Sequence, residues 1–216
     1  MSTLEITSLT KIKRAQQRGS YDLQAIYEIL DATPLCHVGY AAEQQPIVTP
    51  TIHWRRGDRI FWHGSRISRT MVAPELQPVC ITVTHLDGLV LARSAFHHSA
   101  NYRSVMVFGR PELVTDRDEK TAVLTLLIDK MLPGRWDTLR PMTEKEFAAT
   151  SVLSLPLTEA SAKIRTGGPS DLESDLDFPV WAGVLPLTTM TGSPEPCSHN
   201  SLDQIQPPNL TGYKVG

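Results

Sequence analysis

The residues best equipped for chemistry gather in two segments. In the first, the β-rich runs Pro78–Leu86 and Tyr102–Val114 flank a polar stretch that holds Arg93, Ser94, His97, His98, Ser99, Asn101, Tyr102 and Arg103. Strands hold polar groups more rigidly than loops do. A cationic, hydroxyl-rich cluster pinned between strands therefore suits an anionic small molecule such as a phosphate. The second segment, Phe61–Met71, reads FWHGSRISRTM. A strand ends at His63, a Gly64-Ser65 turn follows, and Ser68-Arg69 opens a helix. Backbone N–H groups at such a turn, with hydroxyls and a guanidinium beside them, form a phosphate cradle. A capped helix with a surface arginine has the same pattern, and the motif alone does not separate the two.

Other chemistries fit the sequence poorly. Six histidines lie between positions 37 and 98, yet no HxH or HxxxH spacing occurs. His97 and His98 are adjacent, so on a strand they point to opposite faces. A metal site is not expected from that spacing. A Ser/His/Asp set drawn from Ser65, His63 and Asp87 lacks both a GxSxG elbow and the βαβ alternation that such a site needs. No P-loop and no GxGxxG is present. Trp54 and Trp62 belong to strands and fit a core or an interface, and Trp136 follows a helix stop. Trp181, in FPVWAGVLPL, is delivered by an acidic loop. Such a ring either covers a planar cofactor or anchors the tail to the sheet.

The elements that must position these residues read as mainly β with flanking helices. Tyr21–Ala32 is a helix capped by Asp22, with Leu23, Ile26, Tyr27 and Leu30 at helical spacing. Leu35–Tyr40, Ile47–Arg55 and Arg59–His63 form a meander of short strands with turns at Ala41–Gln45 and Gly57-Asp58, broken at Gly64-Ser65. Ile67–Leu76 is a short helix. Val79–Leu86 and Leu89–Arg93 are strands about an Asp87-Gly88 turn, and Tyr102–Val114 is the longest strand, with Gly109 and Pro111 marking a bulge or edge. Asp116–Met131 is a helix with an apolar stripe of Val123, Leu124, Leu127, Ile128 and Met131, stopped by Pro133-Gly134. Thr143 and Glu146 form a capping box that opens Thr143–Ala149. Strands Val152–Leu157 and Ala160–Arg165, the acidic loop Gly167–Phe178 and the apolar stretch Trp181–Leu187 complete the fold. An antiparallel sheet or barrel follows from this pattern. Residues 1–20 read as a flexible basic arm, 21–187 as one domain, and 188–216 as an extended tail rich in Pro, Ser, Thr, Gly and Asn.

Composition sets the outer bounds. The 216 residues are 41% hydrophobic and 20% charged, enough for one cored domain. A net charge of -2 argues against nucleic-acid binding by bulk electrostatics. The three cysteines, Cys36, Cys80 and Cys197, form no CxxC pair, and the first two sit in apolar runs as buried thiols. The polar N-terminus is no signal peptide, and no apolar run approaches the ~20 residues of a membrane span. A reduced, cytoplasmic protein is the expectation.

Taken together, several motifs carry a resemblance: YDLQAIYEILDATPLCHVGY, PIVTPTIHW, FWHGSRISRTM, THLDGLVLARSAFHHSANYRSVMVFGRPELV, PGRW, ASAKIRTG and PVWAGVLPL. From Tyr21 to Leu187 the chain resembles the pyridoxamine 5'-phosphate oxidase-like, FMN-binding split-barrel proteins. Within them it resembles the flavin-nucleotide-binding group that includes the nitroimidazole-resistance (Nim-type) proteins. The resemblance implies a split β-barrel that works as a homodimer with FMN at the subunit interface. It places Pro50, Thr51, Ile52 and His53 on the strand beside the isoalloxazine, Ser68 and Arg69 on the phosphate, and His63, Gly64 and Ser65 on the approach to it. Tyr102, Arg103 and Ser104 lie where the neighbouring subunit reaches the flavin, and Trp181 takes the C-terminal aromatic role. Thr70 stands where the oxidases carry a lysine, and their C-terminal substrate motif is absent, so the resemblance does not extend to pyridoxamine-phosphate oxidase activity. It implies an FMN-dependent oxidoreductase acting on a small substrate with electrons from NADH or NADPH. The rival is a non-catalytic flavin carrier or sensor. No catalytic residue is assigned, and His53, His63, His97 and His98 are the candidates for proton handling.

Overall fold

In the computed structural model, which describes residues 2–75, 77–200, 207 and 210, local capping chemistry starts each of three helices. The Asp22 carboxylate accepts from the N–H groups of Gln24 and Ala25 and opens α1 (Leu23–Asp31), which buries Ile26, Ile29 and Leu30. Asp116 accepts from Glu119 N–H and opens α3 (Arg117–Met131), with Val123, Leu124 and Leu127 buried. Thr143 and Glu146 satisfy each other's backbone N–H in a capping box before α4 (Glu144–Ala149). The remaining helix, α2 (Arg69–Glu75), follows the third long strand after three linking residues. The expected end of that helix at Leu76, and most of the tail beyond residue 200, lie outside the described residues.

The strands are β1 (Gly19–Ser20), β2 (Leu35–Ala42), β3 (Gln45–Arg56), β4 (Arg59–Ser65), β5 (Val79–Leu91), β6 (Ser99–Gly109), β7 (Glu112–Leu113), β8 (Thr150–Pro156), β9 (Ala160–Arg165) and β10 (Gly183–Pro186). They pair antiparallel in the order β1-β9-β6-β5-β2-β3-β4-β8-β7, and β10 adds to β5. This is the antiparallel, mainly β split barrel that the sequence pattern implied. The split falls within β3, which pairs with β2 through Ile52 and with β4 from His53 onward. Alternation sends Cys36, Val38, Tyr40, Ile81, Val83, Val105, Val107, Ala160 and Ala162 into the barrel core. Past the corner, a second core of Trp54, Phe61, Val152 and the α3 residues Val123, Leu124 and Leu127 fastens α3 to the sheet.

Four sequence-based expectations change. The Gly64-Ser65 break is absent, because β4 continues to Ser65 opposite Thr150 of β8. Asp87-Gly88 is a bulge rather than a turn: β5 runs unbroken from Val79 to Leu91, and its register on β6 shifts between Leu86 and Gly88. Consequently β5, at 13 residues, is longer than β6, at 11. Strand β6 stops at Gly109, whose φ of 153° suits glycine and where an added Cβ would meet Leu155 Cδ1 at 2.9 Å. Residues 2–20, expected as an arm, lie along the barrel. Leu4 N–H donates to the Tyr21 carbonyl at 2.9 Å, the Tyr21 hydroxyl donates to the Thr10 carbonyl at 3.2 Å, and β1 pairs with β9. Among the described residues no helix is long and apolar enough to cross a membrane. Residues 188–200 form no helix or strand.

Candidate functional site

Strand β3 carries the first group of candidate residues, and its pleat divides them. Pro50 pairs with His37, and Ile52 with Leu35, on the outer face of the sheet. Thr51 pairs instead with Cys36, which is fully buried, so its hydroxyl is turned away from the face that Pro50 and Ile52 present. His53 is 2% exposed. Its backbone N–H donates to the Pro34 carbonyl at 2.7 Å, and its ring Nε2 lies 3.0 Å from the Leu30 carbonyl. The ring thus ties the corner of β3 to the end of α1. Burial pushes its pKa down to about 4. A sealed, neutral ring is ill placed to exchange protons with a cofactor, so His53 is a structural residue.

Strand β4 delivers the second group. The His63 ring is half-buried against Trp54, with ring centroids 5.8 Å apart, and burial lowers its pKa. The β4–α2 link is tightly held: Arg66 N–H donates to the Ala149 carbonyl and Ser68 N–H to the Ser65 carbonyl, each at 2.8 Å. Ser68 Oγ lies 2.7 Å from Thr70 Oγ1, which puts two hydroxyls together at the start of α2. Arg69 projects into solvent, and no ion pair or side-chain hydrogen bond engages its guanidinium among the described residues. An unneutralised guanidinium beside Ser65, Ser68 and Thr70 can take a phosphate through charge-assisted bonds. The helix has only seven residues, so side chains rather than a helix dipole must supply that affinity.

At the far end of the sheet the polar cluster is largely spent on itself. Arg103 Nε and NH2 donate to both oxygens of Asp87 at 3.0 and 2.8 Å. The β5 bulge that displaced the expected turn aims Asp87 at this fork. Arg93 donates to Asp171 through its backbone N–H and its guanidinium, both at 2.9 Å, and these bonds hold the Asp171 carboxyl below the usual carboxylate range. Buried Arg165 donates to Asn101 Oδ1 and to the Gly168 carbonyl, and Asn101 Nδ2 donates to the Gly167 carbonyl at 3.1 Å. The acidic loop is therefore stapled to β6 and β9. Asp87 and Asp171 were distant in sequence from the arginines they neutralise, so the cluster read as more cationic than it is. Tyr102 and Ser104 remain half-buried, cross-strand from Leu86 and Thr84 on the outer face. Trp181 is 68% exposed. Its indole lies over Gly183, where an added Cβ would come within 2.7 Å of the ring.

Two histidines in this region stay available. His97 packs edge-on against Phe96. His98 Nδ1 lies 2.9 Å from the Ser94 carbonyl, which fixes the proton on Nδ1 and leaves the Nε2 lone pair free on an exposed ring. Phe96 beside it is 90% exposed.

The two groups of candidate residues do not meet within one chain. Strands β5 and β2 separate β6 from β3. A cleft of about 380 Å³ lined by Trp136, Leu139, Met142 and Phe147 under α3 and α4 contains none of them.

This arrangement of strands and residues matches known proteins. The family model described as pyridoxamine 5'-phosphate oxidase matches residues 22–164. The chain belongs to the pyridoxamine 5'-phosphate oxidase family. The flavocytochrome Anf3 from Azotobacter vinelandii, another structure of this fold, is 46% identical over 97% of this chain and 98% of its own, with a TM-score of 0.94. An FAD and heme binding protein from Mycobacterium smegmatis is 36% identical over 92% of this chain and 98% of its own, with a TM-score of 0.87. A protein assigned to 5-nitroimidazole antibiotic resistance in Bacteroides thetaiotaomicron is 21% identical over 68% of this chain and 86% of its own, with a TM-score of 0.57. That last likeness is one of fold, so the expected Nim-type branch is a distant one. No curated protein matches the chain.

Proposed function

We propose that this member of the family is a redox protein that holds a flavin on Arg69 and its neighbouring hydroxyls and carries a heme as well. One observation carries the flavin reading. Arg69, on the residue pair that the family pattern assigns to phosphate, meets no counter-charge among the described residues, in a chain 46% identical to a flavocytochrome. The sequence pointed to FMN, but a relative at 36% identity binds FAD, and FAD is the better reading. The outer face of β2, β3, β5 and β6 exposes Leu35, Val48, Leu86 and Met106. An apolar face of this kind supports a homodimer, in which Tyr102 and Ser104 of one copy approach the Pro50–Ile52 strand and Arg69 of the other. Reduced nicotinamide is the proposed electron donor and a small molecule the acceptor.

The donor set also fits heme. His98 presents Nε2 on a ring oriented through Nδ1 by a backbone carbonyl, and Phe96, packed on the neighbouring His97, offers an exposed aromatic surface. Bound flavin would supply two-electron chemistry and bound heme one-electron chemistry. The polypeptide's own part is to hold both, with Arg103 and Arg93 paired to Asp87 and Asp171 and Arg165 spent on Asn101 and backbone carbonyls, so that these three do not compete for the phosphate.

The purified protein is expected to be coloured, with flavin and heme bands in its absorption spectrum and FAD among the pigments released on denaturation. A colourless protein that takes up neither added flavin nor heme would overturn the proposal. Steady oxidation of NADH or NADPH with a quinone would exclude a mere flavin carrier. Arg69→Ala should weaken flavin binding by about 1.5–3 kcal/mol, roughly ten- to hundredfold, as read by calorimetric titration. His98→Ala should change the heme absorption and electron paramagnetic resonance spectra while flavin content is kept. Unchanged heme spectra would show that His98 does not hold the heme.

A further inference from the structure

The β4–α2 link contains a doubled dipeptide. Ser65-Arg66-Ile67-Ser68-Arg69-Thr70 places two Ser-Arg pairs three residues apart. The flavin site described above gives no role to Arg66, the arginine of the first pair. The side chain of Arg66 is exposed and, like that of Arg69, engages no acceptor among the described residues. The sequence holds no Asp or Glu between Asp58 and Glu75, so nothing nearby in the chain offsets the two charges. Both pairs sit on a fixed backbone: Ser65 pairs with Thr150, Arg66 N–H is tied to Ala149, and Ser68 N–H is tied to Ser65. Between the arginines stands Ile67, 91% exposed.

A mononucleotide flavin brings one phosphate, which one guanidinium and its hydroxyls accommodate. A second guanidinium with no acceptor among the described residues, three positions away on a hydrogen-bonded backbone, is redundant for that ligand and suits the second phosphate of a pyrophosphate. An exposed aliphatic side chain between the two cations has no role toward a phosphate but suits the face of a purine. We propose that Arg66 is the residue that makes the site select a flavin dinucleotide over a flavin mononucleotide. Arg69 and Ser68 take the phosphate on the riboflavin side, Arg66 and Ser65 take the phosphate on the adenosine side, and Ile67 packs against the adenine. The inference rests on the flavin reading above and assigns its specificity.

The test is titration of flavin-free protein with FAD and, separately, with FMN. Arg66→Ala should lose about tenfold or more in FAD affinity and keep its FMN affinity within about twofold, since no FMN phosphate reaches it. Arg69→Ala should lose affinity for both. Ile67→Ala should weaken FAD alone. Equal losses for FAD and FMN in Arg66→Ala, or no loss in either, would overturn the assignment and leave the flavin reading standing. Failure of the unaltered protein to bind either flavin would remove both. All three positions are exposed or at a helix start, and matching thermal unfolding curves would show that the variants fold alike.

Discussion

Replacing Trp54 with alanine is expected to cost about 3–5 kcal/mol of stability, the range for truncating a buried tryptophan. Trp54 is 1% exposed and stacks on Phe61, with ring centroids 6.0 Å apart and planes inclined by 19°. It sits just past the corner where β3 leaves β2 for β4, among Val152 and the buried face of α3. Removing the indole leaves a cavity between sheet and helix that a paired strand cannot close by moving. The consequence reaches the proposed flavin site, because Trp54 pairs with Phe61 on β4 and β4 ends at Ser65. Chemical denaturation checks the number. The exposed Trp181 is the control, and Trp181→Ala should stay within about 0.5 kcal/mol of the parent. A loss below about 1 kcal/mol at Trp54, far under the range for a buried tryptophan, would show that α3 contributes little to holding the second core.

What could be read from the sequence was whatever chemistry is local. The caps at Asp22, Asp116 and Thr143 act within three residues of themselves, and each opens its helix as the spacing implied. The runs Leu35–Tyr40 and Val79–Leu86 read as strands from their own residues, and each lies within β2 or β5. The errors arose where distant pairing overrides a local signal. Asp87-Gly88 has turn chemistry, but β6 on one edge and β10 on the other hold β5 straight through it. Gly64-Ser65 looks like a break, yet β8 extends the ladder across it. The same limit governs the site. Ser68 and Arg69 sit together as the motif implied, because they are neighbours in sequence. Nothing local to Arg103 or Arg93 indicated that Asp87 and Asp171 would neutralise them. His53 shares a strand with Pro50 and Ile52, but whether its ring faced a cofactor or the end of α1 depended on the corner in β3. Arg66 was legible as a charge, and its proposed role came only with the finding that it engages no acceptor among the described residues.

That corner histidine gives the protein a stability that depends on pH. His53 Nε2 donates to the Leu30 carbonyl, so the remaining ring nitrogen, Nδ1, is bare; it is buried and has no protein partner. Protonation would place a charged N–H at that buried position, where burial outweighs the help of the Pro34 backbone. Burial is the chief reason that the pKa falls from 6.5 to about 4, and the positive charge of Lys130 lowers it further, against an opposing contribution from the Leu30 bond. In the unfolded chain the ring takes its proton as the pH drops through the ordinary value, whereas the folded protein resists until about 4. Between these limits the unfolded state binds more protons, so stability falls with acidification. It is fully present above the unfolded pKa. The total loss is about 3 kcal/mol, because a tenfold difference in proton affinity between the folded and unfolded states is worth about 1.4 kcal/mol. His63, also lowered by burial, adds a slope of the same sign. The Asp31 carboxyl, held low by Arg55 and Lys130 against its burial, loses its contribution only below this window. Denaturation midpoints measured at neutral pH and stepwise toward pH ~4.5 should therefore decline. His53→Gln, which keeps an N–H for the Leu30 carbonyl but cannot titrate, should flatten most of that decline while lowering stability at neutral pH. An unchanged slope in His53→Gln would mean that the ring takes up its proton as readily inside the fold as outside, and that the corner of β3 is open to water.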